Sequence, residues 1–301
     1  TSPDTFWGLR ARDLLLGRRF VGQAPAGAFD PALYAPRGNP TEAEAWLASW
    51  AGAAPQGRPP SELPATLVAE PAFQRGIALW ALGDSAAAYT HLRQVEAAHK
   101  GEPWVLYALA LHARDHGLYL LATTAGQRLL DSAPAQARAR APRLIEELAY
   151  PTYYADLVLR EAQNTNTDPL LFFALIRQES TFDHGATSYS DARGLAQVIP
   201  STGKYIAGQL GDTAYTDDRL WRPVVSVRYG MWYLSRALRM FDDNALMALV
   251  GYNAGPGNAA AWGKLANGDD DVYFERVSNW QPRAYMQKIY EHRAHYERLY
   301  R

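Results

Sequence analysis

Cysteine is absent from the 301 residues. That removes disulfide frameworks, thiol nucleophiles and cysteine-ligated zinc, and it suits an oxidising compartment as well as a reducing one. No run of eighteen apolar residues is free of charge, which excludes a membrane-spanning helix. Nor does one sign of charge dominate. Thirty basic against 31 acidic side chains leave a net charge of -1, whereas a general nucleic-acid binder needs surplus cations to neutralise phosphates. Lysine is scarce, Lys100, Lys204, Lys264 and Lys288 being four of the 30 basic residues; this reads as a preference for arginine, not as a site. The seven histidines form no His-Glu-x-x-His or other metal-ligand spacing. His112 and His116 lie at i, i+4 without an evident carboxylate, and read as a surface pair. Asp269-Asp270-Asp271 lacks the alternating ligands and central glycine of a calcium loop, and reads as a solvated turn. No metal and no organic cofactor is expected. The Gly-x-Ser-x-Gly elbow of serine hydrolases is missing too. Gly255-Pro256-Gly257 follows no strand and precedes no Lys-Ser/Thr, so it reads as a turn between helices.

What is present is 48% hydrophobic and 20% charged residues, enough apolar surface for one large domain or two ordinary ones. Strand signals are nearly absent. Trp7, Leu9, Leu14, Leu15 and Leu16 suggest an amphipathic helix within 6–20. From 21 to 71, prolines recur at 25, 31, 36, 40, 55, 59, 60, 64 and 71 and resist helix. The exception is a helix over 41–51, with Thr41 as N-cap and Glu44 completing a capping box. Four helices in two hairpins follow between 71 and 131. Gly83 and Gly117 turn them 34 residues apart, the period of tetratricopeptide helix pairs, and a larger solenoid is expected to precede Thr1. Further helices are expected at 135–149, 152–164, 168–180, 201–210, 223–241, 244–253 and 283–300. The predicted class is all-α: a helical-repeat part over 1–150 and a second α-helical domain over 151–301.

One carboxylate stands out. Glu179 closes the apolar helix that contains Leu170-Leu171-Phe172-Phe173-Ala174-Leu175-Ile176. At the C-terminal end of a helix the dipole disfavours a negative charge, and apolar neighbours desolvate it. Both raise its pKa, and a carboxylic acid kept protonated near neutral pH is what glycosidic cleavage needs as a general acid.

Three segments carry a family resemblance. Residues 177–200, RQESTFDHGATSYSDARGLAQVIP, resemble the Glu-Ser segment of the soluble lytic transglycosylases of glycoside hydrolase family 23. Residues 251–257, GYNAGPG, resemble that family's second motif, and Glu275 with Arg283-Ala284-Tyr285 its third. The stretch of 1–150 that includes LRARDLL and LAYP resembles the helical superhelix of the larger soluble members. The resemblance implies a lysozyme-like α-helical catalytic domain. It implies Glu179 as the catalytic acid/base and Ser188 as a contact to the sugar at the cleavage site. Gln197, Tyr252 and Asn253 are implied to bind substrate, with Ile199, Glu275, Gln281 and Tyr285 along the glycan cleft. Sugars offer hydroxyls to hydrogen-bond and apolar faces to stack, which suits these residue types. Taken singly, Ser188 and Gln197 would satisfy loop backbone groups, and the tyrosines would be core aromatics.

Some positions depart from the family pattern. Ala196 and Ile199 stand where methionine is frequent, Gln281-Pro282-Arg283 where Glu-Thr-Arg is common, and Asp183 where asparagine is frequent. The implied reaction cuts peptidoglycan between N-acetylmuramic acid and N-acetylglucosamine without water and leaves a 1,6-anhydro end. A lysozyme-type hydrolase on the same fold is the alternative, with Asp183 or Asp191 as the nearby candidates for activating water; a non-catalytic glycan-binding scaffold is a further one. The implied partner is the glycan strand and the implied location extracytoplasmic, with an export signal removed; a monomer is expected.

Overall fold

A computed structural model describes residues 5–18, 20 and 30–301. Residue 19 and the loop expected over 21–29 lie outside the described residues. Among the described residues the fold is all-α. The elements are α1 (Phe6–Leu15), α2 (Pro40–Ala51), α3 (Ala65–Val68), α4 (Pro71–Ala81), α5 (Ser85–Ala98), α6 (Pro103–Asp115), α7 (Tyr119–Ser132), α8 (Ala135–Arg138) and α9 (Arg143–Ala149). They continue with α10 (Ala155–Thr165), α11 (Pro169–Glu179), α12 (Pro200–Leu210), α13 (Pro223–Met240), α14 (Ala245–Ala254), α15 (Pro256–Lys264), α16 (Asp270–Arg276) and α17 (Trp280–Tyr300). Short 3₁₀ turns span Pro31–Tyr34 and Asp217–Trp221. Isolated bridges join Arg193 to Thr187 and to Val198.

Proline starts many of these helices. α2, α4, α6, α11, α12, α13 and α15 carry it in the first turn, where no N–H is needed and φ is already helical. Side chains of Asp84, Asp168, Asn244, Asp269 and Asn279 accept from the backbone N–H groups that follow. The cap of α2 differs from expectation. Asn39, not Thr41, fills that position, and its side chain accepts from the N–H of Thr41, because Pro40 already has helical backbone. Gly83 and Gly117 end α4 and α6 at φ of 82° and 74°, left-handed values natural to glycine.

Two compact units emerge. One holds α2 to α9 with residues 181–186. In it α4 packs on α5 and α6 on α7, α7 also packs on α5 and α9, and α2 packs on α6 and α9. A Cβ on Gly76 would lie 2.6 Å from Leu92 Cγ, so glycine sets the close approach of α4 and α5. The His112 and His116 rings stack at 4.1 Å, with His112 half-buried instead of exposed. Phe182 is fully buried with its ring edge-on to Tyr153 at 5.4 Å.

The other unit holds the described residues up to Tyr34, Tyr154–Ser180 and Thr187–Arg301. Its centre is α11, buried from Pro169 to Ile176, against α10 and α17; α14 packs on α13, α15 and α17. These units depart from a simple cut between residues 150 and 151, because the leading segment packs on the last helices. Phe6 stacks on Phe274 at 4.4 Å and meets Tyr290 edge-on at 5.2 Å. Arg10 pairs with Asp271 at 2.7 Å, and the Tyr290 hydroxyl donates to Asp13. Tyr34 lies over Tyr300 at 6.4 Å. The acidic run 269–271 is thus no solvated turn: Asp269 caps α16 and Asp271 holds Arg10. Among the described residues no helix is long and apolar enough to cross a membrane.

Candidate active site

Glu179 ends α11, whose start is anchored by Asp168. That carboxylate is fully buried, accepts from the Leu170 N–H, and binds Arg293 at 2.9 Å and Arg301 at 2.6 Å. With one end fixed and eight consecutive residues buried, α11 delivers Glu179 to a set position.

The Glu179 side chain is half-buried and opens into a cavity of about 520 Å³. Burial pushes its pKa up to about 7, opposed by a hydrogen bond from Tyr285. The Tyr285 hydroxyl donates to Glu179 Oε1 at 2.5 Å. Tyr285 and Tyr252 both have hydroxyls pushed well above the usual phenol range, by burial first and then by the charge of Glu179. Tyr252 donates to the Ala196 carbonyl at 2.7 Å, which ties α14 to the loop before α12.

That loop is built from the backbone outward. Ser188 Oγ accepts from the N–H groups of Ser190 and Ala192. Arg193 holds Asp191 at 2.8 Å and Asp218 at 3.1 Å, and its guanidinium lies 4.4 Å over the Trp221 ring. Gly194 has φ of 73°, and a Cβ there would lie 2.1 Å from the Leu220 carbonyl oxygen. Gln197, at φ of 49°, donates through Nε2 to the Gly194 carbonyl at 2.9 Å. The buried hydroxyl of Ser226 accepts from the Ala196 N–H at 3.1 Å, and a Cβ on Gly230 would lie 2.3 Å from Ala196 Cβ.

Ser188, Gln197, Ile199, Tyr252, Asn253 and Gln281 line the cavity together with Glu179. Two residues stand elsewhere. Tyr285 sits behind Glu179, buried and engaged with the carboxylate. Glu275, on α16, is exposed and lies 3.7 Å from Arg283; it is not among the lining residues. Tyr189, Thr202 and Tyr233 also line the cavity and were not singled out from the sequence. Tyr233 lies within the helix expected over 223–241, where one aromatic among several carries no sign of a site. Ser226 carried no signal, since a serine between two valines looks like an ordinary helix residue.

Glu179 is the one carboxylate among the lining residues. Such a site can hand a proton to a bound oxygen and take one back, with phenol, amide and hydroxyl groups to bind a polyol.

Residues 156–274 match the family model of the Transglycosylase SLT domain. This part of the chain is a transglycosylase SLT domain. The soluble lytic murein transglycosylase of Salmonella typhimurium is 29% identical over 153 residues, half of this chain and 24% of that one. The chain thus spans about a quarter of the length of such curated relatives. The crystal structure of the 70 kDa soluble lytic transglycosylase from Escherichia coli superposes with a TM-score of 0.70 at 18% identity, over 98% of this chain and 41% of that one. An inactive Glu-to-Gln variant of the lytic transglycosylase Slt from Pseudomonas aeruginosa gives 0.65 at 23%, over 98% and 46%. The SLT domain and its all-α fold therefore extend the sequence resemblance to backbone geometry. Within it, Glu179 ends the helix and the GYNAG segment closes α14.

Proposed function

We propose that this chain is a lytic transglycosylase that cuts the β-1,4 bond between N-acetylmuramic acid and N-acetylglucosamine in peptidoglycan, with Glu179 as its acid and base. The observation that carries the reading is a single carboxylate in the cavity, its pKa raised to about 7. Hydrolytic glycosidases generally use two carboxyl groups across the bond. Here Asp191 is engaged with Arg193, which holds its pKa below the usual range, and the Asp183 carboxylate accepts from the Gly185 N–H within the other unit. Neither lines the cavity, so the hydrolase reading lacks a base for water.

Tyr285 occupies Oε1, which leaves Oε2 to carry the proton. Protonated Glu179 donates to the leaving glycosidic oxygen as the C1–O bond breaks. The acetamido oxygen of the same sugar bonds to C1 and takes up the developing positive charge. Glu179, now a carboxylate, removes the proton of the C6 hydroxyl; O6 attacks C1, displaces the acetamido oxygen and closes the 1,6-anhydro ring. Glu179 is protonated again and no water is consumed. Ser188, Gln197 and Asn253 bind sugar hydroxyls or amides, Tyr252 holds the loop that carries Gln197, and Ile199 and Gln281 set the rim. The substrate places the enzyme outside the cytoplasmic membrane.

The test is mass spectrometry of soluble products from peptidoglycan, with Glu179→Gln as control. Muropeptides one water lighter than hydrolytic products, absent with the variant, are expected. Reducing-end products would convert the reading to a hydrolase.

A further inference from the structure

Beside the cavity lies a cluster that the reaction above does not use. Tyr205 on α12 and Trp232 on α13 meet edge-on, with ring centroids 6.1 Å apart. The Arg236 guanidinium sits 5.5 Å from the first ring and 5.9 Å from the second. The cluster adjoins the cavity through both helices. Thr202 and Tyr233 line it, and Tyr205 and Arg236 each follow one of them by three residues, hence lie on the same helix face. Burial raises the pKa of the Tyr233 hydroxyl above the usual phenol value, and the charge of Arg236 opposes that rise.

Arg236 is half-buried, and among the described residues its interactions are with aromatic rings alone; it forms no ion pair. This contrasts with Arg193, which is also over an aromatic ring but neutralised by Asp191 and Asp218. Stacking restrains a guanidinium and leaves its in-plane N–H donors available. A restrained, uncompensated fork of donors fits one ligand chemistry best, a carboxylate bound by two parallel hydrogen bonds.

We propose that Tyr205, Trp232 and Arg236 form a receiving site for a free carboxylate on the peptide stem of the glycan strand, next to the sugar-binding cavity. This rests on the function proposed above, since it takes the strand bound in the cavity as the carrier of the peptide. The site selects strands by peptide charge: a stem with a free carboxylate docks on Arg236, and an amidated one loses that contact.

The experiment uses the full chain in two measurements. In the first, wild-type protein is given strands with free and with amidated peptide carboxylates, and soluble fragments are counted. In the second, affinity for the same strands is measured with Glu179→Gln, which holds them without cutting, and with that variant also carrying Arg236→Gln or Arg236→Lys. Amidation is expected to weaken binding about five- to tenfold when Arg236 is present, the loss of one charge-assisted contact. With Arg236→Gln the two strands should bind within about twofold of one another, and with Arg236→Lys, which keeps the charge but not the planar fork, an intermediate preference should survive. Equal effects of amidation with and without Arg236, or no effect in either, would overturn the site while leaving fragment release by the wild type intact. Release of fragments from neither strand would instead sink the transglycosylase reading itself.

Discussion

The two ends of α11 carry the two carboxylates that matter most in this unit, and they are treated in opposite ways. Asp168 stands at the N-terminal end, where helix N–H groups favour an anion, and two guanidinium groups meet its fully buried carboxylate. Glu179 stands at the C-terminal end, where the dipole opposes an anion. Among the described residues no cation bonds to it, and a neutral phenol is its one hydrogen-bond partner. The comparison teaches that burial alone does not decide what a carboxylate is for. A buried charge with matched partners is scaffold; a half-buried carboxyl deprived of them keeps its proton near neutral pH and has it to give.

Removing the reactive end tests this contrast most severely. Glu179→Gln should lower the turnover of peptidoglycan by about 10²- to 10⁴-fold with the fold intact by circular dichroism; residual activity near the wild-type level would break the comparison. At the other end, Asp168→Ala removes the buried carboxylate that Arg293 and Arg301 share, leaves both to Glu297, and should cost about 1.5–3 kcal/mol in urea unfolding. If its cost were close to zero, the matched charge would not be holding the helix.

The third prediction uses pH. Between about 4.5 and 7 folded Glu179 holds a proton that the unfolded chain releases, so this residue makes stability fall as pH rises through that window. Glu179→Gln should therefore unfold at a higher temperature than wild type at pH 7.5, by an amount worth about 1–3 kcal/mol. The gain should vanish near pH 4, where the wild type is protonated in both states. A gain that does not change with pH would refute the assignment of the raised pKa to this residue.

Tyr285→Phe sharpens the picture further. The lost hydrogen bond favours the anion, so its removal should move the alkaline limb of the activity profile to higher pH and cost about 1 kcal/mol of stability. A limb that moves down would mean that the phenol holds the neutral form instead. The smallest effect is expected for Ser226→Ala, which orphans the Ala196 N–H. About 1 kcal/mol and a higher KM with little change in kcat would mark it as a residue that positions the Gln197 loop.

Much of this was legible in the chain, and the limits of legibility have physical causes. Periodicity, proline and glycine located most helices because those signals act within a few residues. Glu179 was recognisable because its helix and its apolar run are contiguous in sequence. The partners of Asp168 were not, since Arg293 and Arg301 lie 125 and 133 residues away. The same holds for Arg10 and Asp271, and for the leading segment, whose place beside the last helices is set by ring stacking and by polar contacts to residues 261 to 285 positions later. Asp269-Asp270-Asp271 misled because acidic residues that cap a helix and acidic residues that face water look alike in one dimension. Tyr285 carried the right neighbourhood from the resemblance, but its place behind the carboxylate depends on how α17 crosses α11.

The contacts of α1 also set a timetable for the making of the molecule. Phe6 donates its backbone N–H to Glu291, 285 residues later, and Arg10 waits 261 residues for Asp271. At translation speeds of about 5–20 residues per second, that wait lasts roughly ten to fifty seconds. Throughout it, Phe6 and Trp7 leave the ribosome with no aromatic neighbour of the finished unit to cover them. α1, made well before its partners, is thus late to find its place, and the nascent chain exposes Phe6 and Trp7 to chaperones until α17 is complete.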